Sequence, residues 1–287
     1  MVHPCIQTDR LIHLLRSYLD IFAWSYEDMS GLDHFIVQHH LPILPHVRLV
    51  KHKLRQLHPR WSLRVKEEIQ KQLNVRFILV VEYPEWLANV VLVPKKDGKV
   101  RVCVDFKDLN KVRPNDDFLL PHIDLLVDST TSHLMLSFMD GFSGYNQILM
   151  ALEDMEKTTF ITKWGTYCYR VRSFGLKNIG ATYQRVATTL FHDMMHKDVE
   201  VYVNDMIVKS RGRADHLAAL ERFFERIRKF RLKLNPKKCT FGVTSGKLLG
   251  HMVSEQGIEV DPDKIKVILD MLVPRTEKEI RSFLGRL

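Results

Sequence analysis

Two aspartates at the ends of apolar segments are the residues of this sequence best suited to chemistry. Asp140 ends LMLSFMD and precedes a glycine-rich turn, and Asp205 lies within EVYVNDMIVKS at 200–210. If neighbouring strands bring these carboxylates together, their oxygens suit Mg²⁺, which prefers hard oxygen ligands. Carboxylate clusters that hold two such ions are typical of phosphoryl transfer. On the pattern alone, a turn-forming role for each aspartate is the simpler interpretation.

The residue before Asp205 is Asn204, and asparagine is also common in turns. The stretch VND therefore leaves two interpretations open. It is either an ordinary turn or a metal site in which one carboxylate is replaced.

A second set of potential ligands, His192 and His196 in HDMMH, has the spacing of a zinc-protease helix. Asp193 is shorter than the glutamate which that chemistry uses, and no third ligand is evident. We therefore interpret the segment as an ordinary helix.

The cysteines lie far apart and form no C-x-x-C pair; they are Cys5, Cys103, Cys168 and Cys239. This spacing predicts reduced thiols in an intracellular protein, without a metal. No apolar run approaches the roughly 18 residues that a membrane span needs, and no signal peptide is recognisable at the N-terminus. We therefore expect no membrane partner.

The net charge of +9 is concentrated in two stretches. Residues 46–76 carry nine Lys/Arg against Glu67 and Glu68, and residues 207–247 carry twelve against three acidic residues. Such stretches suit a polyanion, which favours a nucleic-acid partner. The alternative for either stretch alone is a solvated helix face.

The elements that must position these residues are strands joined by short turns, interleaved with helices. Hairpins are predicted with turns at Asp97-Gly98, at Trp164-Gly165 and at Asn204-Asp205. Helices are predicted at 9–24, 60–73, 177–196 and 214–230, after the turn that follows Asp140, and from Asp261-Pro262 and Thr276 onward; strands with turns at Gly250 and Gly257 are predicted between 246 and 260. The fold class is therefore α+β with an antiparallel sheet.

Several motifs in one order give the sequence a resemblance to a known family. SFMDGFSGYNQI, TTFITKWGTYCYRVRSFGLKNIGATYQR, VYVNDMIVKS and RLKLNPKKCTFGVTSGKLLGHMVS follow one another as in a reverse transcriptase. The chain resembles the polymerase domain of gypsy-class long-terminal-repeat retrotransposons, in particular plant elements, over essentially its whole length. The resemblance implies a right-hand polymerase fold, RNA-directed DNA polymerase activity with Mg²⁺, and a template, primer and deoxynucleoside triphosphates as partners. Either RNA or DNA serves as template in that family, and the oligomeric state is left open.

The resemblance also implies roles for single residues. Asp140 matches the first catalytic aspartate, and Asp205 matches the second aspartate of the Tyr-x-Asp-Asp motif, whose first aspartate is replaced by Asn204. Tyr145 matches the aromatic gate that excludes a 2′-hydroxyl. Lys238 matches a lysine that donates a proton to pyrophosphate.

Further positions match the family's binding segments. They are Lys95 and Arg101 for the triphosphate, Phe174 and Gly175 for the nascent base pair, and Leu249, Gly250, His251 and Met252 for the primer grip. The implied division is an N-terminal linker region at 1–45, fingers at 46–117 and 148–173, palm at 118–147 and 174–256, and the start of a thumb at 257–287.

The sequence departs from the family pattern at two positions. Asn204 is neutral and cannot bridge metals as a carboxylate does, so we expect a severe loss of rate. Ser173 replaces a proline before Phe174, which is expected to loosen a loop.

Both ends look like cuts through a longer chain, which suggests a degenerate copy of a retroelement. The alternatives are a catalytically silent nucleic-acid-binding remnant and a nucleotide cyclase with a similar palm; Tyr145 and SFGLKN disfavour the cyclase.

Overall fold

The computed structural model describes residues 4–29, 31–94 and 100–260, together with 265, 266 and 269. Its helices are α1 (Pro4–Ser17), α2 (Pro59–Asn74), α3 (Lys107–Lys111), α4 (Ile123–Thr130), α5 (Ile179–Phe191) and α6 (Arg213–Lys229). Single 3₁₀ turns lie at Leu19–Ile21, Tyr26–Asp28, Gly144–Gln147, Leu152–Thr158 and Pro236–Lys238. Within these ranges, no helix has both the length and the apolar character that a membrane span requires.

The strands form a four-stranded, a five-stranded, a three-stranded and a two-stranded sheet. They are β1 (Gln38–His39), β2 (Ile78–Val80), β3 (Ala88–Pro94), β4 (Val100–Val104), β5 (Met135–Asp140), β6 (Leu149–Met150), β7 (Phe160–Thr162), β8 (Gly165–Tyr169), β9 (Val199–Tyr202), β10 (Asp205–Ser210), β11 (Thr240–Val243), β12 (Ser245–Leu248), β13 (His251–Ser254) and β14 (Gly257–Val260).

The four-stranded sheet has the order β11-β5-β10-β9, and all its neighbours are antiparallel. Helices α5 and α6 contribute to the apolar core on one face, where Met206 and Val208 are buried. Ile207 points to a second core on the other face, which α4, β12 and β13 also line. Because β10 is covered on both faces, its three central residues, Met206, Ile207 and Val208, are all apolar and do not alternate with polar ones.

The five-stranded sheet has the order β2-β8-β7-β3-β4, with a core of its own. Strands β3 and β4 pair in the antiparallel manner that the predicted hairpin requires, while β3 and β7 are parallel. Helix α2 packs Val65 and Ile69 into this core. The antiparallel sheet predicted from the sequence is thus confirmed for the strands that carry Asp140 and Asp205.

Several predicted boundaries are wrong. The N-terminal helix ends at Ser17, the helix predicted at 177–196 runs from Ile179 to Phe191, and the helix expected after Asp140 is one 3₁₀ turn. A helix cannot continue through His196 because that residue has φ +62°, a left-handed conformation. Asp193, between the two histidines, forms an ion pair with Arg226 of α6.

The turns also differ from the prediction by one or two residues. Residues 163–164 lie between β7 and β8, residues 203–204 lie between β9 and β10, and residues 255–256 lie between β13 and β14. Asp205 and Gly257 are therefore the first residues of strands. The Asp97-Gly98 turn, the helix starts at Asp261 and Thr276, and Lys95 lie outside the described residues.

Candidate active site

Asp140 and Asp205 lie opposite each other at one end of the four-stranded sheet. Asp140 is the last residue of β5, Asp205 is the first of β10, and the register pairs the two. Side chains paired in this way project from the same face, with Cβ atoms about 4.5–5.5 Å apart. Burial raises the pKa of Asp205, and the negative charge of Asp140 raises it further. The sequence therefore builds a pair of neighbouring carboxylates.

Lys238 reaches this pair from the 3₁₀ turn Pro236–Lys238. Its Nζ donates a hydrogen bond to Oδ2 of Asp140 at 2.9 Å, and the side chain of Asp140 is only 15% exposed. The backbone N–H of Asn235 donates to the carbonyl of Asp140 at 2.8 Å, which fixes this turn beside β5. The structure thus brings the predicted lysine next to the first aspartate; its part in proton transfer stays a prediction.

The 203–204 turn (Val203 and Asn204) precedes Asp205 and has an unusual backbone. Val203 has φ +52°, which is strained for a β-branched residue. The amide of Asn204 turns inward, and its Nδ2 donates to the carbonyl of Gly141 at 3.2 Å. Its Oδ1 is buried and has no hydrogen-bond partner in the described part of the chain. Asn204 therefore ties its own turn to the turn that follows Asp140.

The turn after Asp140, which we call the 141–147 turn, needs its glycines because of this contact. A Cβ at Gly144 would lie 1.7 Å from Oδ1 of Asn204, and one at Gly141 would lie 2.8 Å from the same atom. The hydroxyl of Tyr183 is also 2.9 Å from the Gly141 position. Close packing of two turns, and not only turn conformation, thus explains the glycines in this motif.

Tyr145, Phe174 and Arg101 form a continuous surface, the side wall, beside the two aspartates. The ring of Tyr145 meets that of Phe174 edge-on at 5.1 Å, and the guanidinium of Arg101 lies 5.5 Å from the Phe174 ring centre. Burial raises the pKa of Tyr145, and the charges of Asp205 and Asp140 raise it too, which places the phenol near both carboxylates. Residues predicted from four separate motifs are thus brought together.

Gly175 follows the side wall and has φ +90°, a conformation that favours glycine. Its carbonyl accepts a hydrogen bond from Nδ2 of Asn110 at 2.7 Å, which anchors the loop to α3.

The predicted primer-grip residues lie elsewhere, on the three-stranded sheet. Leu249 and Gly250, both with positive φ, form the turn between β12 and β13, and His251 and Met252 begin β13. None of the ring contacts and hydrogen bonds described above around Asp140 and Asp205 involves these four residues.

Sequence reasoning gave Gln147 no role, and it placed Gln184 only at the end of the segment, beginning at Phe174, that the resemblance assigns to the template and nascent base pair. Both amides are almost fully buried next to the two turns. Gln184 is a polar residue within the apolar face of α5, and that departure from the pattern was the available signal.

An antiparallel sheet with two facing carboxylates at one end and helices packed on its faces is the arrangement of the palm of right-hand polymerases. The family model for reverse transcriptase (RNA-dependent DNA polymerase) matches residues 93–285. The chain belongs to the reverse transcriptase family.

Relatives and solved structures agree with this family. The chain is 32% identical over 240 residues to the retrovirus-related Pol polyprotein from transposon 297 of Drosophila melanogaster, covering 82% of this chain and 22% of that protein. Against the Pol polyprotein from transposon gypsy of the same species, identity is 30% over 185 residues, covering 64% of this chain and 18% of the relative. The chain thus spans about a fifth of the length of these relatives.

The foamy viral protease-reverse transcriptase in complex with an RNA/DNA hybrid has the same fold, with a TM-score of 0.86 at 18% identity over 99% of this chain and 38% of that one. A second structure of that viral protein, in complex with double-stranded DNA, gives a TM-score of 0.87 at 18% identity, with coverage of 99% and 58%.

Proposed function

We propose that this chain adds deoxynucleotides to a primer 3′-hydroxyl under the direction of an RNA or DNA template. The observation that carries the proposal is the register pairing of Asp140 with Asp205, with Lys238 on one side and the side wall on the other. Relatives of the same family are Pol polyproteins of transposons, and a gypsy-class element of the plant type remains our prediction for the origin of the chain.

The two aspartates fit a divalent cation. Both donors are carboxylates, the set that Mg²⁺ prefers. Burial raises the pKa of Asp205, and the negative charge of Asp140 raises it further. A cation held by both carboxylates would offset their mutual repulsion. Mg²⁺ would activate the attacking hydroxyl and neutralise phosphate charge. Asp140 and Asp205 are the residues that would hold it, and Lys238 would exchange its hydrogen bond to Asp140 for one to the departing pyrophosphate.

The side wall orients the incoming nucleotide. Arg101 offers its guanidinium to the triphosphate, since a fork of N–H donors matches phosphate oxygens, and Lys95 adds a second positive charge. Tyr145 is held edge-on by Phe174 and so presents a fixed surface to the sugar. Gly175 lets the backbone approach the nascent base pair closely.

Nucleic acid is proposed as the second substrate. A cavity of about 640 Å³ on the five-stranded sheet is lined by Arg55, Lys66, Lys163 and Trp164 together with apolar side chains. Positive charges beside an aromatic ring are the features by which proteins hold single strands. This groove suits the unpaired template, and the turn at Leu249 and Gly250 suits the primer strand.

Asn204 limits the rate in this proposal. Its amide is neutral and engaged with Gly141, so the site offers two carboxylates where the family motif provides three. Loss of a comparable stabilising group commonly costs about 10²–10³-fold in rate.

Primer extension on the purified chain tests the proposal, with Asp140→Asn as the matched control. We expect slow, template-directed addition of single deoxynucleotides by the natural chain and none by Asp140→Asn. If both proteins bind primer–template duplex and neither adds a nucleotide at any enzyme concentration, the chain is the silent binding remnant and the proposal fails.

The role of Tyr145 has its own test. Tyr145→Val removes the ring beside the sugar, so ribonucleotides are expected to be incorporated at least about 10-fold more efficiently relative to deoxynucleotides, because the 2′-hydroxyl no longer clashes. Single-nucleotide kinetics with both nucleotide types measure this ratio. Tyr145→Phe, which keeps the ring beside the sugar, is the control. An unchanged ratio for Tyr145→Val contradicts the assignment.

A further inference from the structure

A buried glutamine on α5 holds the 203–204 turn. Gln184 is 1% exposed, and both ends of its amide are used. Its Nε2 donates to the carbonyl of Val201 at 2.8 Å, and its Oε1 accepts from the N–H of Val203 at 2.7 Å. These bonds lie on the two sides of Tyr202, immediately before Asn204 and Asp205. The amide therefore connects the helix to the end of β9, where the chain turns.

The turn needs such a support because its backbone is strained. Val203 has φ +52°. A conformation of this kind costs on the order of 1–3 kcal/mol and persists only where its surroundings enforce it. The N–H of Val203 is bonded to Gln184 and to no other group in the described part of the chain. Gln184 thus fixes the residue whose conformation sets the direction of the next two side chains.

A second buried glutamine holds the turn that follows Asp140. Gln147 is 0% exposed. Its Nε2 donates to the carbonyls of Phe142 and Lys233, both at 2.9 Å, and its Oε1 accepts from the N–H of Lys233 at 2.8 Å. The neighbouring backbone, at Asn235, holds the carbonyl of Asp140. Gln147 therefore joins the 141–147 turn to the segment that carries Lys238.

We propose that Gln147 and Gln184 are positioning residues of the polymerase site: each fixes one of the two turns that aim the catalytic aspartates. The inference rests on the proposed function. It extends that function to residues that touch neither nucleotide nor metal and act through Asp140 and Asp205.

Only glutamine meets the bonding requirement at either position. A primary amide offers a donor and an acceptor at one end of a flexible chain, whereas glutamate offers acceptors alone and methionine offers neither. Replacement leaves buried backbone groups without partners, and each such loss is unfavourable. The expected consequence is local: the turn relaxes while the sheet and both apolar cores remain.

The experiment compares Gln184→Met and Gln147→Met, each in an Asn204→Asp background that raises the signal. Gln256→Met, at an exposed glutamine in the turn between β13 and β14, is the matched control. All proteins are assayed well below their own melting temperatures. Hydrogen exchange is followed in peptides spanning 199–206 and 139–147, and nucleotide addition gives kcat and KM.

We expect kcat to fall about 10- to 100-fold in both variants, since misplacement of a reacting group by about 1 Å has an effect of that size. The KM for the deoxynucleotide should stay within about 2-fold, because the side wall is not altered. Exchange should rise in 199–206 for Gln184→Met and in 139–147 for Gln147→Met. Gln256→Met should change none of these values. If Gln184→Met does not fold, Gln184→Glu, which keeps the acceptor for Val203, should show the same effect on kcat at smaller size.

Other outcomes overturn the inference. If turnover is unchanged although exchange in the turn rises, the glutamines serve the fold and not the reaction. If exchange does not change, the hydrogen bonds do not hold the turns. An Asn204→Asp parent that extends no primer contradicts the proposed function itself, whereas an active parent with equally fast glutamine variants contradicts only the positioning role.

Discussion

The two basic stretches look alike in sequence and differ in the folded chain. In residues 46–76 all nine Lys/Arg side chains are exposed. Within the described residues, Arg64 is the only one of these nine side chains with an ion pair, to Glu67 on the same helix at 3.3 Å. Helix α2 and the segment before it therefore carry a positive surface that is largely without ion pairs in the described part of the chain.

In residues 207–247 the positive charges face acids from other elements. Within the described residues, at least five of the twelve basic side chains form ion pairs across the fold: Lys209 with Glu200, Arg222 with Asp198, Arg226 with Asp193, Arg228 with Asp20, and Lys238 with Asp140. Several of these pairs tie α6 to α5 and to the N-terminal segment. A basic stretch is thus a surface for polyanions only where the elements packed against it supply no acids, and this cannot be read from the stretch itself.

The largest expected effect of this difference is on nucleic-acid affinity. Arg60, Arg64 and Lys66 on α2 are replaced together by glutamine. At about 0.15 M salt we expect primer–template binding to weaken roughly 10²-fold, because each lost phosphate contact lowers the slope of log K against log salt by about 0.9. Fluorescence anisotropy over a salt series measures both values.

The matched control replaces Arg222, Arg226 and Arg228 on α6 by glutamine, which removes the same number of charges. Its salt slope should equal that of the natural chain. If the two triple variants lose the same affinity, the comparison between the stretches is wrong.

Arg172 lies outside both stretches and is a buried basic side chain without an acidic partner in the described residues. Arg172 is 0% exposed, two of its nitrogens have no partner in the described residues, and burial lowers its pKa to about 9. Its guanidinium lies 5.1 Å from the ring centre of Tyr145. Replacing a buried ion pair by well-packed apolar side chains is often neutral or stabilising by about 1–4 kcal/mol, and Arg172 has no acid to offset its burial, so Arg172→Met should raise the unfolding free energy by roughly 2 kcal/mol even though Ile179 loses a hydrogen bond. Urea denaturation measures it, and a lower value for Arg172→Met would show that the contact with Tyr145 outweighs the buried charge.

The smallest effect is expected at a single paired arginine on α6. Arg226 holds Asp193 with two hydrogen bonds and also donates to the carbonyl of Leu190 at 2.7 Å. Arg226→Gln should lower the unfolding free energy by about 1 kcal/mol, because the pair is partly exposed, and should leave duplex affinity unchanged. Thermal melting and anisotropy on the same samples give both numbers. Arg64→Gln, on α2, should leave the unfolding free energy unchanged and should weaken duplex affinity.

Much of this arrangement was predictable from local pattern. The runs around Asp140 and Asp205 contain the apolar residues and turns that specify strands, so the antiparallel sheet and the hairpins follow from sequence. The register between the strands, in contrast, cannot be predicted from local pattern. It is set by packing on both faces of β10, so the pairing of Asp140 with Asp205 rested on the family resemblance until the structure showed it.

The orientation of Asn204 was not predictable in the same way. It depends on the positive φ of Val203 and on the space above Gly141 and Gly144, and these belong to two segments more than fifty residues apart. Asparagine and aspartate are nearly isosteric, but they are not equivalent in this turn, since Nδ2 of Asn204 donates to the carbonyl of Gly141 and a carboxylate has no donor.

Asn204→Asp therefore tests the central claim, that this is a polymerase site short of one carboxylate. The new carboxylate cannot bond Gly141 and is expected to turn toward Asp140 and Asp205, where a divalent cation gives it a partner. Without Mg²⁺ the variant should melt below the natural chain, and added Mg²⁺ should stabilise it more than the natural chain.

The most direct measurement is the ratio of primer-extension rates of Asn204→Asp and the natural chain in Mg²⁺. We expect a gain of at least about 10²-fold, and we expect it to vanish when Asp140→Ala is added, because the carboxylates act as one unit. Equal rates for the natural chain and Asn204→Asp, under conditions where both retain primer–template, would show that position 204 is not part of a metal site and would contradict the account.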